Sequence, residues 1–257
     1  MKLLLSILTS IGFLITFTLF LFYVPDIEAT GMTIVSGAHR GNSINYTENS
    51  VLAIYDATIN PKYDFVEFDV QYTKDMVPVV FHDYTLTRLH KIPFTVSSLT
   101  YDQLKELSHN TIPTFEEVMS IIGNRKDINI EIKPVDDKLD IQLTDYTIKY
   151  CEDHGIKQNI ILSSISKDVV RYVSENHPEI PTGLIYFVHP VTYLHFDSLV
   201  LDLYKEVDEV GADYLMMHGV NVRDKKLFEL KPDNITLVFW YFTDEMIIIE
   251  DYDDVIW

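Results

Sequence analysis

The sequence predicts an α/β chain folded as a (β/α)8 TIM barrel, with an irregular early section containing a hairpin and one transmembrane helix ahead of it. Three observations carry that expectation. From about residue 34 onward, short apolar runs rich in β-branched residues alternate with stretches of helical periodicity. Charged residues stand at the carboxyl ends of several of those runs, where such a barrel places its chemistry. No Gly-rich phosphate turn follows the first strand, which argues against a doubly wound open sheet.

Before the alternation begins, Leu3 to Val24 is a run of 22 residues without a charge. As a helix it would span about 33 Å, enough for a bilayer core. It exceeds the apolar region of a secretory signal, and Ile27-Glu28-Ala29 makes a poor cleavage site. The expectation is an uncleaved single-pass anchor over residues 1–24, in preference to a cleaved signal that would leave the protein secreted. Lys2 precedes the run while Asp26 and Glu28 follow it, so the remaining residues, 25–257, are expected outside the cell membrane. That length suits one large domain. The chain carries a net charge of −19, and every charged residue except Lys2 lies beyond Val24. Such a surface argues against nucleic acid and anionic lipid as partners and favours divalent cations. The lone Cys151 permits no internal disulfide and, in a helical pattern, reads as a small packed hydrophobe.

Taken in order, Ile34 to Ala38 reads as a buried strand that breaks into His39-Arg40-Gly41. Asn49 or Ser50 caps a helix over 51–57. The run from Phe65 to Val70 alternates, with Glu67 and Asp69 on one face and Phe68 and Val70 on the other. A turn at 73–76 leads to an apolar strand over 77–81. That turn is too short for a parallel crossover, so the pair is a hairpin that carries His82 toward Glu67 and Asp69. Thr100 with Gln103, and Thr114 with Glu117, mark two helix starts by capping boxes. Ile128 to Lys133 alternates with Glu131 and Lys133 together, and Pro134 ends it. Helices follow over 137–154, 167–176, 195–210, 225–230 and 245–250, the first and third closed by Gly155 and Gly211. Strands over 160–164, 183–187, 213–217, 236–242 and 254–257 complete the alternation, giving eight when the hairpin strand is set aside.

The strand ends bring together His39 and Arg40, Glu67 and Asp69, His82, and Glu131 and Lys133. Buried charges are costly unless partnered, so their company carries information. Three carboxylates from two strands make an oxygen-rich pocket suited to Mg²⁺ or Ca²⁺. Arg40 and Lys133 can hold an anion, and two histidines from different strands can serve as general acid and general base. The competing reading is a purely structural ion-pair network, against which stands the convergence of seven ionisable residues on one barrel end. Of the other histidines, His218 lies at a strand end and is a further pocket candidate. His90, His109, His154, His177, His189 and His195 read as loop or surface residues.

The stretches His39-Arg40-Gly41, Glu48-Asn49-Ser50, Glu67-Phe68-Asp69-Val70, Phe81-His82-Asp83, Ile112-Pro113-Thr114-Phe115-Glu116-Glu117 and Glu131-Ile132-Lys133 together resemble the motifs of the glycerophosphodiester phosphodiesterases. The resemblance covers most of residues 25–257. It implies a (β/α)8 barrel that hydrolyses a glycerophosphodiester to glycerol 3-phosphate and an alcohol with a divalent cation, Mg or Ca. By that resemblance His39 and His82 are the acid–base pair, and Glu67, Asp69 and Glu131 are the metal ligands. Arg40 and Lys133 match phosphate-contacting positions, Glu48 supports the pocket, and Trp240 stands on its substrate side. The chain departs from the family in three places. Ser163-Ser164-Ile165 replaces a Ser-Ser-Phe-like stretch, and Trp240-Tyr241-Phe242-Thr243 replaces a Trp-Thr-Val-Asn-like one. The sequence also stops at Trp257 without a Thr-Asp-x-Pro-like segment, which bears on substrate fit and barrel closure but on none of the seven central residues. Lysophospholipase D-like activity on membrane lipids is a related alternative. A non-catalytic barrel binding glycerophosphate polymers is the alternative of another class.

Overall fold

The computed structural model describes residues 35–156, 159–187, 197–241 and 245–249. The anchor expected over 1–24 and the final strand expected over 254–257 fall outside them. Among the described residues no helix is long and apolar enough to cross a membrane.

Within the described residues, nine strands form one sheet: β1 (Val35–Ala38), β2 (Phe65–Tyr72), β3 (Pro78–Val80), β4 (Asp127–Ile132), β5 (Ile160–Ser164), β6 (Thr182–Tyr186), β7 (Tyr214–His218), β8 (Thr236–Trp240) and β9 (Glu245–Ile249). Eight of them close a ring in the order β1-β9-β8-β7-β6-β5-β4-β2, because β1 also pairs with β2. The hairpin inferred from the short turn is present. Strand β3 runs antiparallel to β2, with Val70 opposite Val80 and Tyr72 opposite Pro78, and takes no place in the ring. The Phe81 N–H donates to the Asp69 carbonyl (3.0 Å), which fixes the chain beside β2 just before His82.

Residues 245–249 correct the expectation of a last helix. They form β9, antiparallel to both β8 and β1. Two physical facts favour the strand. Ile247-Ile248-Ile249 is a β-branched run, stiff at χ1 and suited to a pleated surface. Only four residues separate Trp240 from Glu245, far fewer than a parallel crossover needs, so the next element must return as a hairpin. The side chains then alternate: Met246 and Ile248 join a cluster with Phe65, Met216 and Val238, while Ile247 and Ile249 join one with Leu215, Leu237 and Phe239.

The helices among the described residues are α1 (Val51–Ile59), α2 (Thr87–His90), α3 (Tyr101–Leu107), α4 (Phe115–Ile122), α5 (Asp137–Asp153), α6 (Lys167–Asn176), α7 (Asp197–Glu209) and α8 (Lys225–Glu229). Ser50 caps α1, its side chain accepting from the Ala53 N–H. Both threonine capping boxes are complete. Cys151 is buried in the core, as its helical setting implied. Helix α2 has no counterpart in the sequence pattern. It lies in the connection between β3 and α3, where Phe81, Leu86, Val96, Leu99 and Leu104 bury one another in a satellite cluster against Val79.

The floor of the barrel is a small apolar layer of Phe65, Met216, Val238 and Met246. Gly37 makes room for it, since a Cβ there would stand 2.1 Å from the Phe65 ring. Strands β2 and β4 set the charged groups in register, with Asp69 opposite Glu131 and Glu67 opposite Asn129. Like charges are thereby placed side by side on neighbouring strands, an arrangement that raises energy unless something positive intervenes.

Candidate active site

The cavity at the carboxyl ends of the strands has a volume of about 260 Å³. His39, Arg40, Glu67, His82, Asn129, Glu131 and Lys133 form its polar wall, and Ile165, Ile185, Phe187, Trp240 and Met246 its apolar one. The structure therefore brings six of the seven central residues to one cavity wall, and Asp69 is buried immediately behind, within ion-pair distance of Arg40 and Lys133.

Arg40 follows β1 with a left-handed backbone (φ 59°), unusual for a residue with a Cβ. The conformation is held from both sides: its N–H donates to Glu67 Oε2 (2.7 Å), and its carbonyl accepts from the Asn49 N–H (2.9 Å). Gly41, also at positive φ (73°), packs so closely on α1 that a Cβ would lie 2.6 Å from the Ala53 carbonyl carbon. The guanidinium of Arg40 donates to Glu48 Oε1 (2.9 Å) and its Nε lies 3.7 Å from Asp69 Oδ2. Lys133 donates to Glu131 Oε1 (2.7 Å) and stands 3.5 Å from Asp69 Oδ1. Despite burial, the neighbouring carboxylates hold both cations above their usual range.

Glu67, Asp69 and Glu131 each offer an oxygen within 4.8 Å of the others. Burial and the charges of Asp69 and Glu131 push Glu67 well above the usual carboxylate range. Burial and Asp69 likewise push Glu131 up to about 7, against the pull of Lys133. Burial acts in the same sense on Asp69, but Lys133 and Arg40 outweigh it and keep that carboxyl low, with help from His82 and the Asn49 amide. Glu67 Oε1 and Asp69 Oδ1 are buried without a hydrogen bond. Buried acceptors are seldom left so, and hard oxygens aimed at one another match a divalent cation. The residues present thus fit a metal centre.

The two histidines are each oriented through Nδ1. His39 Nδ1–H donates to the Tyr241 carbonyl (2.6 Å), and His82 Nδ1–H to Asp83 Oδ1 (2.7 Å). An acceptor at Nδ1 places the proton there and leaves the lone pair of the neutral ring on Nε2. Burial lowers the pKa of His82, as do Lys133 and Arg40, against the opposing pull of Asp69 and Asp83.

Glu48 does not line the cavity. Its oxygens accept from Arg40 and from Arg88, so it fixes the cation rather than meeting an anion itself. Trp240 does line it, with its ring 5.7 Å from that of His39 and edge-on to His218 at 4.7 Å. His218 stands behind the indole, accepting from the Val220 N–H (3.2 Å) at a helical turn, and is not part of the wall. Four further residues serve the site without having been given a role in it from the sequence. Asn49 bonds Asp69 Oδ2 (2.7 Å) from a left-handed backbone (φ 59°) that asparagine tolerates well. Gln71 Nε2 donates to the carbonyls of Phe81 (2.7 Å) and Asp83 (2.9 Å) and so sets the His82 segment. Asp83 holds the His82 ring, and Arg88 joins Asp83 to Glu48. Adjacency in Glu48-Asn49 and His82-Asp83 was the available signal for two of them. Gln71 and Arg88 reach the site through folding alone.

A closed barrel gathers a carboxylate triad, two cations and two oriented histidines around one cavity, a set of groups chemically suited to a phosphate ester. The family model for the glycerophosphoryl diester phosphodiesterase family matches residues 39–254, and the chain belongs to that family. It is 31% identical over 167 residues to a glycerophosphodiester phosphodiesterase of Caldanaerobacter subterraneus, covering 58% of this chain and 65% of that one. It is 27% identical over 214 residues to a Bacillus subtilis enzyme of the same name, covering 74% and 72%. The chain thus spans just under two thirds of the first relative's length. Among solved structures, the glycerophosphodiester phosphodiesterase of Thermotoga maritima superposes with a TM-score of 0.62 at 25% identity, over 83% of this chain and 88% of that one. A phosphodiesterase of Oleispira antarctica, solved with sn-glycerol-3-phosphate, shares the fold at a TM-score of 0.64 and 21% identity, over 80% and 83%.

Proposed function

We propose that this protein hydrolyses glycerophosphodiesters to glycerol 3-phosphate and an alcohol, with a divalent cation (Mg or Ca) at Glu67, Asp69 and Glu131. The observation that carries the reading is the pair of buried, unbonded carboxylate oxygens facing into a site that also holds Arg40 and Lys133. Three ionised carboxylates against two cations leave one negative charge, and a divalent ion turns that into one positive charge, the complement of a phosphodiester. When bound, the ion supplies Lewis-acid charge beside the phosphate oxygens.

The side chains supply the rest. Arg40 and Lys133 neutralise charge that grows on the non-bridging oxygens as the transition state forms. One of His39 and His82 takes the proton of the attacking hydroxyl as the new P–O bond forms; water gives glycerol 3-phosphate directly, whereas the neighbouring glycerol hydroxyl gives a cyclic phosphate that water then opens to the same product. The other gives its proton to the leaving oxygen as the old P–O bond breaks. The apolar wall supports a second substrate class. Ile165 and Phe187 are 50% and 60% exposed beside Ile185 and Met246, so an acyl-bearing diester, cleaved as a lysophospholipase D would cleave it, has a surface to lie against. We place residues 25–257 outside the membrane with 1–24 as their anchor. Recovery of the full chain in an extracytoplasmic membrane fraction supports that placement, and recovery from the soluble cytoplasm overturns it.

The deciding assay measures glycerol 3-phosphate released from diesters without an acyl chain and acylglycerol 3-phosphate released from those with one, in Mg²⁺, Ca²⁺ or chelator. Turnover that vanishes with chelator and in His39→Ala and His82→Ala, while the fold survives, is expected. Wild-type turnover in either variant sinks the acid–base assignment. Binding of diesters without turnover favours a non-catalytic barrel.

A further inference from the structure

We propose that Arg88 is a positioning residue of this site, gripping Glu48 and Asp83 together and thereby holding the Arg40 guanidinium and the His82 ring in fixed relation. Its kinetic consequence rests on the phosphodiesterase reading, its structural one on geometry alone.

Arg88 commits its whole fork to two carboxylates. Nε donates to Asp83 Oδ2 (2.7 Å) and Nη2 to Asp83 Oδ1 (3.1 Å). Nη1 donates to Glu48 Oε2 (2.8 Å) and Nη2 to Glu48 Oε1 (2.5 Å). Those carboxylates sit on separate segments, Glu48 between β1 and α1, and Asp83 beyond β3. Each passes the constraint inward: Glu48 Oε1 accepts from Arg40 Nη1 (2.9 Å), and Asp83 Oδ1 from His82 Nδ1 (2.7 Å). One planar guanidinium therefore ties the segment carrying the anion-facing cation to the segment carrying a candidate acid–base group.

Only arginine can do this. Two bidentate contacts need a rigid fork with donors on both edges, whereas a lysine ammonium is a point charge. Arg88 is itself about half exposed and lines no part of the cavity, so it acts through other residues. Its charge matters as well as its shape. Asp83, Asp69, Lys133 and Arg40 are the charged groups that act on His82. Arg88 offsets Asp83, so that Asp83 orients the ring without imposing its full negative charge on it.

The test compares wild type, Arg88→Met and Arg88→Lys in the full chain. His82 is titrated by NMR in each, kcat and KM are measured on glycerophosphocholine, and thermal unfolding is followed. In Arg88→Met, with Asp83 uncompensated, the His82 titration moves up by about 0.5–1 unit, and kcat falls about 10–100-fold, as for other residues that orient a catalytic group. Arg88→Lys keeps the titration near wild type but not the kcat, because charge survives and the fork does not. An unchanged His82 titration in Arg88→Met overturns the proposal, as does a loss of activity that only tracks a lower melting temperature. The titration needs no turnover. A wild-type chain inactive on every diester overturns the phosphodiesterase reading, and the NMR result then decides the role of Arg88 by itself.

Discussion

At the scale of single residues, the site is defined by charges that are stable only in company. Glu67 and Glu131 are pushed up by burial and by each other's neighbours, and Asp69 stays ionised because Lys133 and Arg40 lie beside it. The proposed divalent cation would relieve this crowding, and so would bind the folded state and not the unfolded one. At a concentration a hundred times its dissociation constant it stabilises by about 2.7 kcal/mol, or about 5–10 °C in melting temperature for a chain of this size. Differential scanning calorimetry with Ca²⁺ or Mg²⁺ checks this, and Glu67→Gln, which takes away a proposed ligand oxygen, is expected to lose most of the shift. His82 is lowered from the ordinary histidine value by burial, reinforced by Lys133 and Arg40. A depressed folded-state value means the neutral ring is the one the fold accommodates. The stability it contributes is complete above the unfolded value and is lost as pH falls through the folded one. NMR titration of His82 should therefore report a midpoint below 6.5. Asn49 illustrates the cost of the arrangement. Its amide bonds a buried carboxylate from a left-handed backbone, so Asn49→Ala loses about 2–4 kcal/mol by urea unfolding, the sum of a charged hydrogen bond and αL strain.

At the scale of elements, the barrel's legibility in the sequence followed the locality of the signal. Alternation in Phe65–Val70 and Ile128–Lys133 put Glu67, Asp69, Glu131 and Lys133 on the correct faces, because side-chain direction in a strand is fixed by parity. The β2–β3 hairpin was legible because a four-residue turn forbids a crossover. Residues 241–244 forbid one equally, but there the β–α rhythm of the preceding chain suggested a helix and concealed β9. Helix α2 left no trace since four residues carry no period, yet it is the element that presents Arg88. Contacts that depend on two distant segments meeting, such as Arg88 with Glu48 or Tyr241 with His39, have no local signature at all. The floor layer shows how closely the elements are fitted. Gly37 in β1 leaves its space to Phe65 in β2, so Gly37→Ala overpacks the barrel and costs about 1–3 kcal/mol. Phe65→Leu in the same chain returns part of that loss, a coupling that a double-mutant cycle in denaturant measures directly.

At the scale of the whole molecule, the site and its surroundings have opposite electrostatic requirements. On the proposed reading the cavity takes an anion once a cation is bound, but the chain as a whole carries −19. A field of that sign gathers divalent cations toward the carboxylates and repels anionic diesters on approach. Salt weakens both effects, since the Debye length falls from about 30 Å at 0.01 M to about 8 Å at 0.15 M. The two consequences separate when substrates of different charge are compared at saturating metal. Glycerophosphocholine is zwitterionic and feels little net force from a distance, while glycerophosphoglycerol is a net anion. Raising ionic strength from about 0.01 to 0.15 M should increase kcat/KM for glycerophosphoglycerol several-fold relative to glycerophosphocholine, with kcat for both nearly unchanged. The buried pairing of Arg40 and Lys133 with their carboxylates is screened far less, so the chemistry inside the barrel stays the same while the approach to it changes. Equal salt dependence for the two substrates would show that the local field at the mouth, and not the molecular charge, governs access.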